Sequence, residues 1–147
     1  MSTSLPPGRP EAAGRIVVVD DSWLILEQIR LSLSGRGYEV RTTTGPDTAA
    51  RLVKNADLAI VDFHMPGMNG NEVVAALRRA APADSACLFY LYTSDRDEAA
   101  RYQDHGFDGA FLRKGEEAAL VPQVDAVFRT VRMRSLAERM RRARSAV

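Results

Sequence analysis

Twice in this chain an unbroken aliphatic run ends at an aspartate. Ile16-Val17-Val18-Val19 runs into Asp20-Asp21, and Leu58 to Val61 runs into Asp62. A strand that is apolar at every position has both faces covered, as in the centre of a parallel sheet, whereas a half-exposed antiparallel strand alternates. Parallel neighbours need long crossovers, usually helical. The sequence between the runs supplies them.

Ser22 is placed to cap a helix whose apolar positions Leu26, Ile29 and Leu33 recur at helical spacing until Gly35 and Gly37 stop it. Tyr38 to Thr43 alternate like an outer strand. Gly45-Pro46-Asp47 opens a second helix through Leu52 and Val53, since proline is tolerated in a first turn. Asn71 to Ala81 read as a third helix closed by Pro82, Cys87 to Tyr92 as a fourth strand, and Asp95 to Gln103 as a fourth helix ending near Gly106. Ala110 to Leu112 read as a fifth strand, and a last helix is expected to start near Pro122. Five β-α units with short links predict an α/β, doubly wound parallel sheet with helices on both faces. Ligands of such sheets lie beyond the carboxyl ends of the strands.

A chain of 147 residues can bury one sizeable core but not two. Residues 1–14, with Pro6, Pro7, Gly8 and Pro10 and almost no large apolar side chain, are expected to be a disordered leader. Residues 15–131 form the expected domain, and 132–147 a basic helical extension. Cys87 is the sole cysteine, which excludes an internal disulfide or a cysteine-based zinc cluster and fits a reducing compartment. No apolar window approaches the length of a membrane span, so a cytoplasmic location is expected.

The expected strand ends carry reactive side chains: Asp20 and Asp21, Asp62, Thr93 and Lys114. The topology would bring them to one edge of the sheet. Three carboxylates cannot share a small pocket as anions without an offsetting cation, and hard oxygen ligands in that number favour Mg²⁺. Lys114 supplies a compact charge suited to phosphate oxygens, and the Thr93 hydroxyl a neutral donor. A carboxylate in such surroundings can be a nucleophile that forms an aspartyl phosphate. Asp62 is the best placed, because it opens the loop Phe63-His64-Met65-Pro66-Gly67-Met68-Asn69-Gly70, which can turn sharply at two glycines.

Asp20-Asp21 after an apolar strand, Asp62-x-x-Met65-Pro66-x-x-Asn69-Gly70, Thr93 after the fourth strand and Lys114 after the fifth resemble the pattern of a bacterial two-component response-regulator receiver domain. The resemblance covers about residues 15 to 130. It implies a flavodoxin-like five-stranded sheet of order 2-1-3-4-5, phosphoryl transfer to Asp62 from a sensor histidine kinase or phosphotransfer protein, and Mg²⁺ ligated by Asp21, Asp62 and the His64 backbone carbonyl, with Asp20 acting through water. It further implies a switch in which Thr93 moves toward the phosphoryl group and Phe111 turns inward. One departure is Gly115, where relatives usually carry a proline after the lysine, often in a cis peptide. A trans link and an altered loop are expected here, because a cis bond before a non-proline residue is costly.

The last stretch differs in character. Residues 1–128 carry 13 basic against 18 acidic side chains, whereas residues 129–147 carry seven arginines against Glu138. Val124, Val127, Phe128 and Val131 make a core-facing stripe, but Met133, Leu136, Met140, Ala143 and Val147 continue on another face. An extended C-terminal helix with a narrow seam is expected there. The seam could meet another protein or pair two copies as a homodimer; contact with nucleic acid or acidic lipid is the less favoured use of its arginines.

The expected function is thus that of a single-domain response regulator, not an enzyme acting on external substrates, with output through an unknown downstream protein. A phosphorelay intermediate or phosphate sink is the alternative. A metal-dependent aspartyl phosphohydrolase is disfavoured, because such enzymes commonly carry a second acid two residues after the nucleophile and His64 stands there.

Overall fold

The structure is a computed structural model that describes residues 14–65 and 67–146. Apart from Gly14, the expected leader lies outside the described residues, as do Pro66 and Val147. Five parallel strands make the main sheet: β1 (Arg15–Val19), β2 (Glu39–Thr43), β3 (Leu58–Asp62), β4 (Leu88–Tyr92) and β5 (Gly109–Phe111). Their order is β2-β1-β3-β4-β5, the flavodoxin-like arrangement. The helices are α1 (Trp23–Ser34), α2 (Pro46–Leu52), α3 (Gly70–Ala80), α4 (Arg96–Ala100) and α5 (Glu117–Ser145).

Alternation along the central strands divides the core in two. Val17, Val19, Ala59, Val61, Phe89 and Leu91 face Ala49 of α2 and Val73, Val74 and Leu77 of α3. Ile16, Val18, Leu58, Ile60 and Tyr92 face Leu26, Ile29 and Leu33 of α1 and Leu120, Val124 and Phe128 of α5. Every residue of β3 is buried, so this strand cannot slip in register without carrying Asp62 off the site.

Local chemistry fixes the helix ends. The Ser22 hydroxyl accepts the Ile25 amide at 3.3 Å, and Asn69 accepts the Glu72 amide at 3.0 Å to start α3. Gly35 caps α1, and Gly37 reverses the chain at φ +92°.

Two expectations need correction. The last helix starts at Glu117 instead of near Pro122, because Glu117, Ala118, Ala119 and Leu120 form its first turns themselves. Pro122 inside the helix removes one backbone bond, and the buried Leu120 and Val124 on either side offset that loss. The fourth helix is shorter than Asp95 to Gln103: it ends at Ala100, and three-residue turns carry the chain to Gly106. Gly106 at φ +88° then turns Phe107 into the core.

Candidate functional site

The register of the sheet gathers the strand-end residues. Val19 pairs with both Thr43 and Val61, Asp62 with Tyr92, and Tyr92 with Phe111, so Asp20 and Asp62 emerge side by side and Thr93 one residue further on, all at the same end of the sheet. One carboxylate oxygen from each of Asp20, Asp21 and Asp62 lies within 4.8 Å of the others. Asp20 and Asp62 are buried, whereas Asp21 is exposed. An all-oxygen donor set with one open side fits a hard divalent cation.

Lys114 reaches this cluster from the β5–α5 loop. Its Nζ lies 2.9 Å from Asp20 Oδ2 and 2.8 Å from Asp62 Oδ1. Burial alone would drive the lysine toward neutrality, but hydrogen bonds to the two carboxylates outweigh it and hold the ammonium above its ordinary range. Burial pushes the Asp20 carboxyl up, and the nearby Asp62 charge adds to this, against the opposing bonds from Lys114 and the Ser22 amide. Two buried acids against one ammonium leave net negative charge in the pocket, which is what a metal ion would relieve.

Among the described residues, the hydrogen bonds to the Asp62 carboxylate fall on Oδ1, from Lys114 and from the His64 amide at 3.1 Å. The loop after Asp62 closes on itself: His64 pairs with Asn69 in a short antiparallel ladder, and the Gly70 amide donates to the Phe63 carbonyl at 3.0 Å. Gly67, at φ +77°, makes the turn. A Cβ on Gly70 would fall 2.4 Å from the Phe63 ring, so the close approach of loop and helix start requires glycine there.

The Thr93 hydroxyl accepts the Asp95 amide at 3.0 Å and donates to Glu98 Oε1 at 2.9 Å. The other Glu98 oxygen is 2.6 Å from His64 Nε2. Glu98 thus lies at the mouth of the site although the sequence reading missed it; a glutamate in a short charged helix looks like solvent-facing surface. The imidazole of His64 is mostly exposed, while His105 sits apart, its ring 4.5 Å from that of Phe63.

Phe111 is buried and stacks on Tyr90 with ring centroids 4.6 Å apart. No cis peptide occurs among the described residues, in keeping with Gly115 after Lys114, and Gly115 takes φ +97°, which proline cannot adopt. The Gln123 side chain on α5 braces the loop, accepting the Leu112 amide at 3.0 Å and donating to the Leu112 carbonyl at 3.1 Å. Met133, Leu136 and Met140 are far from this pocket in the chain and exposed on the last half of α5, where no described residue after Phe128 is buried. No described helix is long and apolar enough to cross a membrane.

Residues 16–125 match the family model described as "Response regulator receiver domain". The chain is 28% identical over 120 residues to the virulence sensor protein BvgS of Bordetella pertussis, a match covering 76% of this chain and 10% of that protein. It is 29% identical over 119 residues to the DNA-binding response regulator MtrA of Mycolicibacterium paratuberculosis, covering 78% of this chain and 51% of the relative. The chain therefore spans a tenth to a half of the length of these relatives. Among solved structures it resembles the response regulator TrrA of Thermotoga maritima, crystallised in complex with Mg²⁺-BeF, at TM-score 0.63 and 27% identity, covering 77% of this chain and 97% of that one. With the matched segment spanning all five strands and the acidic pocket, the chain belongs to the response regulator receiver domain family.

Proposed function

We propose that Asp62 accepts a phosphoryl group from a phosphohistidine of a sensor kinase or phosphotransfer protein in the cytoplasm, and that output passes through a changed protein-binding surface. The observation that carries this reading is the gathering of Asp20, Asp21 and Lys114 around Asp62, with Thr93 at the end of the neighbouring strand, from three other strand ends. A bound Mg²⁺ would neutralise charge on the transferring group. Asp20, Asp21 and Asp62 are the side chains that would hold it, with the His64 carbonyl as a backbone ligand.

The rest of the chemistry belongs to the chain. An Asp62 oxygen attacks phosphorus as the P–N bond to the donor imidazole breaks; the nitrogen keeps that electron pair, and the donor's other ring nitrogen carries a proton, so the imidazole leaves neutral. Lys114, already on Oδ1, is within reach of the new phosphoryl oxygens, and Thr93 offers a hydroxyl to another. Such transfer is mainly positioning and charge neutralisation. Phosphorylation draws Thr93 inward and fixes Phe111 beneath it, which alters the surface around α4 and β5. The exposed seam of Met133, Leu136 and Met140 provides a second surface, for a partner protein or another copy. Relay of the phosphoryl group to another histidine, or its storage as a sink, uses the same site.

Incubation with a small phosphodonor and Mg²⁺ tests the reading. One acid-stable, base-labile phosphate per chain is expected, absent from Asp62→Ala. Continuous release of phosphate without a lasting adduct would replace it with a hydrolase, and an unmodified chain that still binds Mg²⁺ would reduce it to a binding module.

A further inference from the structure

Glu98 ties together three elements around Asp62. Through Oε1 it accepts the Thr93 hydroxyl at the end of β4, and through Oε2 it meets His64 on the loop after β3, while its own backbone lies in the first turn of α4. The Asp95 carboxylate accepts the Glu98 amide at 3.2 Å, and the Asp95 amide donates to the Thr93 oxygen at 3.0 Å. The Glu98 side chain is only 17% exposed, so this carboxylate is set by its surroundings rather than sweeping through solvent.

A threonine hydroxyl has a single proton. With Asp95 occupying a lone pair, Thr93 gives that proton to Glu98, in a bond strengthened by the acceptor's charge. It cannot simultaneously give it to a phosphoryl oxygen on Asp62. We propose that Glu98 is a positioning residue that holds the Thr93 hydroxyl away from the phosphoryl-binding position, so that phosphorylation must break the Thr93–Glu98 bond.

His64 strengthens the hold by fixing the second oxygen, which keeps the carboxylate from rotating away. The chain thereby resists phosphorylation from poor donors, and release of Glu98 frees α4 from the loop after β3 at the moment Thr93 moves. The inference rests on Asp62 being the phosphoacceptor.

The test compares the initial rate of phosphate incorporation, by intact mass, with a small phosphodonor and Mg²⁺ in the full chain. E98A should be faster than the parent by about three- to tenfold, the size of one net hydrogen bond. E98Q retains an acceptor for Thr93 without the charge and should fall between the two. In a T93A background, E98A should change the rate less than about twofold. An unchanged rate in E98A overturns the proposal. So does an equal acceleration with or without Thr93, or an E98Q as fast as E98A, since either would trace the effect to charge alone. A parent that never acquires phosphate fails at the earlier reading and takes this one with it; a labelled parent with an indifferent E98A fails here only.

Discussion

The Lys114 ammonium lies 2.8 Å from Asp62 and bridges it to Asp20, so one cation serves two buried acids. Lys114→Ala would leave those acids facing each other without compensation. Breaking a buried pair from one side costs about 3–5 kcal/mol, and residual exposure here argues for the lower end. In chelator the variant should lose about 3 kcal/mol of unfolding free energy, and saturating Mg²⁺ should restore more stability to it than to the parent. Denaturation curves in both conditions decide; equal Mg²⁺ stabilisation of the two proteins would mean that the ammonium and the cation do not share these carboxylates.

Phe111 supplies a second prediction. Its ring is buried and stacks on Tyr90, so Phe111→Ala should cost about 3–5 kcal/mol through the cavity it leaves. Phe111→Leu keeps most of the volume and should cost about 1 kcal/mol. The leucine variant should still take up phosphate at Asp62, but its affinity for a downstream protein should respond less to phosphorylation. A full response in Phe111→Leu would remove the ring from the switch.

The pocket was readable because strand ends are marked in sequence by a change from aliphatic to reactive side chains, and parallel topology turns such marks into neighbours. Asp20, Asp62, Thr93 and Lys114 all follow that rule. Glu98 does not: its role depends on how Asp95 caps a five-residue helix, and one charged helical residue looks like another. The early start of α5 was hidden for a related reason. Pro122 suggested a first turn, whereas the burial of Leu120 and Val124, a tertiary effect, carries the helix through it.

The C-terminal half of α5 should be separable from the fold. Every described residue after Phe128 is exposed, so deleting residues 134–147 removes no core contact. The unfolding free energy should change by less than about 0.5 kcal/mol. Far-UV helical signal should fall, and any self-association or partner binding through Met133, Leu136 and Met140 should be lost or weakened. Unchanged sedimentation and partner affinity would remove the seam; a large loss of stability would show that the extension packs on the domain.

Asp125 on α5 accepts the Tyr38 hydroxyl at 2.6 Å and pairs with Arg36 at 2.9 Å, fastening the last helix to the entrance of β2. Burial acts to raise this carboxyl, but the Tyr38 and Arg36 bonds outweigh it and hold it below its ordinary value. A depressed folded-state value contributes stability that is present above the unfolded value, near 3.9, and lost as pH falls through the folded one. Arg36 is well exposed, which screens its share. Asp125→Asn should therefore cost about 1 kcal/mol at pH 7 and progressively less below about pH 4. Denaturation midpoints at several pH values measure this, and a constant difference down to pH 2 would contradict it.

Gly115 sets the turn directly after Lys114. It takes φ +97°, and among the described residues no atom beyond its chain neighbours lies within 4 Å of the position a Cβ would occupy, so backbone conformation is what opposes a side chain there. Gly115→Ala should cost about 1–2 kcal/mol, the penalty of a left-handed conformation. Gly115→Pro demands φ near −65° and must rebuild the link, although Gln123 still clasps Leu112 ahead of it. A rebuilt link should displace Lys114 from Asp20 and Asp62. Gly115→Pro should thus slow phosphorylation at Asp62 more than Gly115→Ala does, and by more than its loss of stability accounts for. Equal phosphorylation rates in the two variants would show that the glycine sets the loop's stability without setting the position of the lysine.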